Sequence, residues 1–325
     1  MADKLQVAIV GCGAVADKRH IPGFARLKKD VVIQAVCDKN EELAKKIALK
    51  YNIPNVFTSQ AEMLAAEKLD IIDICTPPQI HAPIAVEALE HGCHVLLEKP
   101  MALEARQAWE LVGIAKSREL CLQVGHILRF NNALKLMRDL VAQEYLGNLY
   151  YLKLQWTTLM PSPLNRDIIF DLGPHPVDIL NYLLRKWPTK VACKARAYRR
   201  KTLEELAYMT MEFDNHLMAH IELSWLQPGK IREATIIGSE RSAVVDCVEQ
   251  SVRIYENGDG ESFGLDVKPN NTILDETGHF AESILGKENS NNPGPIGARN
   301  VAVLEKLKES MEQEKTMKVI FRDRA

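Results

Sequence analysis

Leu5-Gln6-Val7-Ala8-Ile9-Val10 runs directly into Gly11-Cys12-Gly13-Ala14-Val15-Ala16, and a polar, helix-compatible stretch follows. The first six residues are short, apolar and rich in β-branched side chains, which is the pattern of a buried strand. Two glycines then allow a tight turn before the helix. Gly11 permits that turn, Gly13 lets the backbone come close to a pyrophosphate, and the small Ala16 lets helix and strand pack together. The turn, including Cys12, Ala14 and Val15, presents backbone N–H groups at a helix N-terminus, where an anion is stabilised.

Working outward, the run Val31-Val32-Ile33-Gln34-Ala35-Val36-Cys37 ends in Asp38, 22 residues beyond Ala16. An acidic residue about there binds ribose hydroxyls. The same carboxylate repels a 2′-phosphate, which favours NAD, while the adjacent Lys39 can accommodate one, so NADP stays possible. Asp38 also fits a capping role at a strand end. The pattern continues with helices over 41–51, 61–68, 83–91 and 104–117 and strands near Val56 and over 70–75, 94–97 and 119–124. Strands alternating with helices predict a doubly wound parallel sheet, and ligands of such sheets bind beyond the carboxyl ends of the strands. Two unusual segments stand there: Thr76-Pro77-Pro78-Gln79-Ile80-His81 and Glu98-Lys99-Pro100.

Composition bounds the rest. At 325 residues, two domains are the default. Lys and Arg total 41 against 43 acidic residues, a net charge of −2, so no basic field for nucleic acid exists. Seven cysteines without CxxC or Cys/His zinc spacing predict reduced thiols and no metal. The N-terminus has no signal-like apolar run and no stretch is long enough to span a membrane, which predicts a soluble, cytoplasmic protein.

Beyond Gly125 the rhythm changes, so the division is expected there, with a dinucleotide-binding Rossmann domain over 1–124 and a substrate and oligomerisation domain over 125–325. An amphipathic helix over 125–147 precedes closely spaced strands over 149–158, 192–198, 207–213, 216–225, 232–237, 243–247 and 251–255. That spacing predicts a mostly antiparallel, open-faced sheet in an α+β domain. A surface loop over 288–297, a helix over 298–312 and an edge strand over 318–321 complete it.

The stretch Asp171-Leu172-Gly173-Pro174-His175-Pro176-Val177-Asp178 carries the chemistry of this domain. Gly173 and Pro174 read as a helix start, because Pro has no N–H to leave unpaired in a first turn. His175 and Asp178 then share one face, and Asp171 approaches from ahead of the helix, giving one histidine two candidate orienting carboxylates. A histidine near neutral pKa is a natural base for an alcohol proton. Asn165 and Arg166 are candidate substrate contacts; Arg166 suits a carboxylate or phosphate and equally suits a solvated loop.

GCGAVA, Asp38, the Thr-Pro-x-x-x-His segment and above all Glu98-Lys99-Pro100 make the whole chain resemble the Gfo/Idh/MocA family of NAD(P)-dependent oxidoreductases. The resemblance implies that Gly11 to Ala16, Asp38, Thr76, Pro77, His81, Glu98 and Lys99 form the cofactor site. It further implies that Lys99 also contacts substrate, that Asp171 and His175 are the family's catalytic Asp-x-x-x-His, and that the second sheet joins homodimers or homotetramers. Two departures stand out. Ile168-Ile169-Phe170 occupies positions where many members carry glycine, which bears on the substrate pocket. Gly125-His126-Ile127-Leu128-Arg129-Phe130-Asn131 resembles a segment of the sugar-nucleotide branch, which includes oxidation of UDP-N-acetylhexosamines at the 3-hydroxyl, but Leu128 and Asn132 replace its usual Glu and Pro. Arg129 and Asp178 are further substrate candidates, with a fold-fixing salt bridge as the other role for Arg129. The implied function is hydride transfer between nicotinamide and a sugar, cyclitol or sugar nucleotide. Reduction of a non-sugar carbonyl or tetrapyrrole, and cofactor sensing without turnover as in a transcriptional co-regulator, are alternatives from the same architecture.

Overall fold

In a computed structural model, which describes residues 4–161, 166–257 and 260–321, the opening apolar run is β1 (Leu5–Val10). It pairs in parallel with β2 (Val31–Cys37) on one side and β4 (Ile71–Ile74) on the other. β3 (Asn55–Phe57), β5 (His94–Leu97) and β6 (Leu122–Val124) extend an all-parallel sheet of order β3-β2-β1-β4-β5-β6. The order reverses between β1 and β4, the switch point at which such sheets bind ligands.

The helix after the glycine turn departs from a plain α-helix. A π turn, Ala16–His20, runs into α1 (Ile21–Phe24), with the Ile21 N–H donating to the Ala16 carbonyl. It stands immediately ahead of Pro22, which has no N–H to continue the ladder. α2 (Glu41–Tyr51), α3 (Gln60–Ala66), α4 (His81–Glu90) and α5 (Ala105–Ser117) follow the expected alternation. Val7, Ile9, Val36, Ile71 and Leu96 share a buried core with Phe24 and Ile47, and Phe280 and Ala281 of α9 (Thr272–Ile284) complete it.

That last contribution amends the expectation of a single cut near Gly125. Among the described residues, the first compact unit comprises those up to Ile127 together with Asn271–Val301; the second comprises Leu128–Asn270 and 302–321. Periodicity marks α9 as a helix but does not say which core takes its apolar face. The stretch expected as a surface loop is also partly internal. Asn292 is fully buried and donates to the Val124 carbonyl at 2.6 Å, and α10 (Gly294–Gln313) starts four residues early.

In the second unit, Asn131 delays the first helix: its side chain accepts from the Ala133 and Leu134 N–H groups, so α6 is Asn132–Ala142. α7 (Ile168–Leu172) and α8 (Pro174–Leu184) come next in the helical layer. The sheet contains β7 (Leu149–Leu159), β8 (Lys190–Arg196), β9 (Leu206–Glu212), β10 (Met218–Ser224), β11 (Leu226–Gly238), β12 (Arg241–Asp246), β13 (Ser251–Glu256), β14 (Ser262–Leu265) and the short β15 (Met317–Lys318). Its order is β14-β13-β12-β11-β7-β10-β9-β8-β15, antiparallel except where β10 lies parallel to β7. Burial alternates as expected for a sheet with one covered face: Leu152, Leu154 and Trp156 are buried while Tyr151 and Lys153 are exposed. Among the described residues no helix is long and apolar enough to cross a membrane.

Candidate active site

Gly11 has φ +93°, and a Cβ there would lie 2.8 Å from the Cys75 carbonyl carbon and 2.9 Å from the Thr76 nitrogen. Only glycine lets the turn after β1 cross so close to the end of β4. A Cβ on Gly13 would meet nothing within 4 Å, so this part of the turn has room for a ligand. The first helical bond runs from the Asp17 N–H to the Gly13 carbonyl at 3.0 Å; the N–H groups ahead of it precede the ladder. Ala14 and Val15 are exposed, Cys12 and Ala16 buried. Burial pushes the Cys12 thiol up to about 12, so it is a neutral packing group.

Asp38, at the end of β2, accepts from the Cys12 N–H at 2.7 Å and from the Asn40 N–H at 2.9 Å. The carboxylate thereby ties the glycine turn to the second strand. Across the switch point, the Thr76 hydroxyl is buried and has no hydrogen-bond partner among the described residues. An open Gly13, a fixed carboxylate at the end of β2 and an unsatisfied hydroxyl fit a dinucleotide. Pro77 is exposed beside them. His81 is buried, with its two ring nitrogens each 2.8 Å from a carbonyl oxygen, those of Thr76 and Pro100. It braces the two loops against each other, and burial holds its pKa below the ordinary histidine value.

Glu98 lies almost wholly inside the protein, where its Oε1 is 3.2 Å from His20 Nε2 and its Oε2 accepts the Lys99 N–H at 2.9 Å. Its carboxylate therefore stands behind the half-buried Lys99. His20 is fully buried and its Nδ1 lies 2.9 Å from Asp73 Oδ1. Cys75 Sγ approaches Asp73 at 3.6 Å. These three side chains bring metal-ligand atom types together, but the imidazole–carboxylate contact reads as a buried ion pair. Burial alone would lower the His20 pKa; the Asp73 carboxylate more than offsets that and, with Cys75, holds it well above the usual value.

Glu276 of α9 is buried near this cluster and accepts from Asn292 at 3.1 Å. Burial, reinforced by the Glu98 and Asp73 carboxylates and opposed by His20, pushes its pKa up to about 8. The folded state thus keeps a proton that the unfolded chain releases in the ordinary carboxylate range. Its stabilisation is complete below that range and disappears as pH rises to about 8; His20, with a raised pKa, acts in the same direction. Thermal melts should therefore show Tm falling from pH 6 to pH 9, with a shallower fall in Glu276→Gln. An unchanged slope in the variant would place the titration elsewhere.

In the second unit, Asp167 caps α7 by accepting from the Phe170 N–H at 3.0 Å, and its other oxygen meets Lys308 at 2.9 Å. α7 ends where a Cβ on Gly173 would lie 2.3 Å from the Ile169 carbonyl oxygen, and Pro174 starts α8. Asp171 is therefore inside a helix, one turn ahead of His175. Ile168 and Ile169 are fully buried and Phe170 nearly so. They fill the core behind Asp171. Arg166 lies with Nη1 3.1 Å from Asp171 Oδ1. Asn165 falls outside the described residues.

Arg129 and Asp178 are buried partners: Arg129 Nε lies 2.9 Å from Oδ1 and Nη2 lies 2.7 Å from the same oxygen. Arg129 also donates to Asn181 Oδ1 at 2.7 Å. The substrate-contact expectation for both gives way to a structural one, since a buried, bidentate pair offers neither charge outward.

Two residues near the histidine were not anticipated. The Trp156 ring lies 6.3 Å from that of His175, and the Arg232 guanidinium sits 5.4 Å over Trp156. Arg232 donates to the Thr157 and Ile231 carbonyls at 2.8 and 2.7 Å. Burial lowers its pKa to about 10 against the pull of Asp171, so it stays charged at neutral pH. Trp156 and Arg232 are opposed in register on β7 and β11. The alternating pattern of each strand is visible in the sequence; their pairing is not.

A family model described as an oxidoreductase family with an NAD-binding Rossmann fold matches residues 5–126, and the GFO/IDH/MocA C-terminal domain matches residues 134–244. The chain is 26% identical to D-glucoside 3-dehydrogenase of Escherichia coli K12, over 87% of this chain and 88% of that protein. It is 29% identical to UDP-N-acetylglucosamine 3-dehydrogenase of Acidithiobacillus ferrooxidans, over 80% of each. The solved structure of the latter superposes with a TM-score of 0.86 at 25% identity, covering 96% of this chain and 99% of that one. Levoglucosan dehydrogenase, solved with NADH, has a TM-score of 0.89 at 16% identity over 98% and 100% of the chains, a likeness of fold.

Proposed function

Because the chain belongs to the GFO/IDH/MocA family of oxidoreductases, with an NAD-binding Rossmann fold, we propose that it oxidises a ring hydroxyl of a sugar or sugar nucleotide, or runs that reaction in reverse. Position 3 of a hexose ring is the favoured carbon, because the two relatives just described are both named as 3-dehydrogenases. The observation that carries the reading is the turn at the end of β5, where Glu98 accepts the Lys99 N–H and so fixes the peptide that bears the lysine.

The Lys99 ammonium holds the reacting oxygen and favours its partial negative charge. His175 takes the hydroxyl proton, and Asp171, with Arg166 beside it, stabilises the imidazolium that forms. A nicotinamide cofactor, when bound, would supply the hydride acceptor. Asp38 selects the unphosphorylated ribose. Lys99, Asp171 and His175 are all present, which supports turnover over cofactor sensing alone.

The purified protein is to be assayed with NAD and with NADP against methyl glucosides, inositols and UDP-N-acetylglucosamine, following reduced-nicotinamide absorbance. Turnover of a pyranoside or UDP-sugar is expected; NAD binding with no turnover of any would sink the dehydrogenase reading. In the same assay Asp38→Ser should raise KM for NAD more than for NADP, and an unchanged ratio would remove Asp38 from the ribose site.

The reading extends to self-association through the open face of the second sheet, supported by Tyr151, Tyr208 and Met218, each close to half exposed there. Gel filtration giving a monomer would remove that part. A reducing, cytoplasmic setting is supported by the seven cysteines being free thiols.

A further inference from the structure

His20 belongs to no motif read for the chemistry, yet it is the fully buried meeting point of three segments that build the cofactor side of the site. It ends the π turn that follows the glycine loop. Its Nδ1 faces Asp73 on β4 at 2.9 Å and its Nε2 faces Glu98, just beyond β5, at 3.2 Å. Both neighbours are carboxylates, so each ring nitrogen has an acceptor before it, an arrangement that a doubly protonated ring satisfies. The second oxygen of Glu98 accepts the Lys99 N–H at 2.9 Å. A continuous line of contacts therefore runs from the glycine loop through an imidazole and a carboxylate to the backbone of the lysine.

We propose that His20 is a positioning residue for Lys99: its Nε2–H holds the Glu98 carboxylate in the orientation that fixes the Lys99 peptide. Without that donor, Glu98 is a buried carboxylate among Asp73 and Glu276 and turns away from one of its two tasks. Asp73 anchors the far side of the ring, which sets the direction of Nε2. The proposal rests on the reading of Lys99 given above.

Two substitutions separate this role from a merely structural one. The amide of His20→Asn reaches the place of Nδ1 and keeps the Asp73 contact, but falls short of Glu98. The amide of His20→Gln reaches the place of Nε2 and restores the Glu98 contact. Amide hydrogen exchange of Lys99, measured by NMR in the protein without added ligand, should be about tenfold faster in His20→Asn, a fold-change typical of one lost charge-assisted hydrogen bond, and near native in His20→Gln. With UDP-N-acetylglucosamine and NAD as probes, His20→Asn should lose kcat by up to about 10²-fold with NAD affinity little changed. Unchanged Lys99 exchange in His20→Asn overturns the proposal, as does equal loss in both variants.

Should His20→Asn fail to fold, nitrogen NMR of the native histidine decides. Two ring N–H groups at neutral pH are expected, and a ring with no proton on Nε2 would overturn the assignment. Lys99→Ala is run in parallel: full turnover there defeats the role given to Lys99, whereas lost turnover there with native kcat and native exchange in His20→Asn defeats only the role given to His20.

Discussion

His175→Ala, assayed with NAD and a substrate that the native protein turns over, is expected to lose about 10²–10⁴-fold in kcat while its NAD affinity, by fluorescence titration, stays close to native. The same split is expected of Lys99→Ala. The histidine lies on α8 in the second unit, and the glycine turn and Asp38 belong to the first, so the two readouts separate the proton step from dinucleotide binding. Asp171 stands one turn ahead of it with Arg166 against that carboxylate at 3.1 Å, and the Trp156 ring lies 6.3 Å from the imidazole. Full activity in His175→Ala would refute the assignment of His175 as base, and native kcat in Lys99→Ala would do the same for the lysine.

Arg129→Ala should destabilise the second unit by about 3–5 kcal/mol, since removing one partner leaves Asp178 as a buried, uncompensated charge. The pair's side chains are only 6% and 2% exposed. Arg129 also donates to Asn181 and stacks on Tyr182 at 5.3 Å, so a single substitution removes several contacts. Arg129→Met combined with Asp178→Leu should restore part of the loss, because the desolvation cost disappears with both charges. Urea denaturation measures both. A loss below about 1 kcal/mol in Arg129→Ala would mean the pair behaves like a solvated surface contact.

These two predictions concern residues that were equally prominent in the sequence. Asp178 shares a helical face with His175, and spacing alone makes it as good an orienting carboxylate as Asp171. Only the arrival of Arg129 from the turn before α6 shows where Asp178 spends its charge. By sequence Arg166 suits an anionic substrate and a solvated loop equally; in the structure its Nη1 lies 3.1 Å from Asp171 Oδ1. His20 and Glu276 gave no signal, because their significance lies in the carboxylates that surround them, supplied by β4, β5 and one another. Arg232 and Trp156 were silent for a related reason: each looks like an ordinary strand residue until β7 and β11 pair.

The sequence by itself determined the strand, glycine turn and helix at the N-terminus, the parallel alternation that follows, the Asp38 carboxylate and the Glu98-Lys99-Pro100 turn. All of these are local: period, turn chemistry and spacing act over a few residues and need no distant partner. The tertiary structure decided which core receives α9, which carboxylate takes which cation, and how His20 reaches Lys99 through Glu98. Those outcomes depend on contacts between residues far apart in the chain, where desolvation forces every buried charge to find a partner and no local pattern says which one it will be.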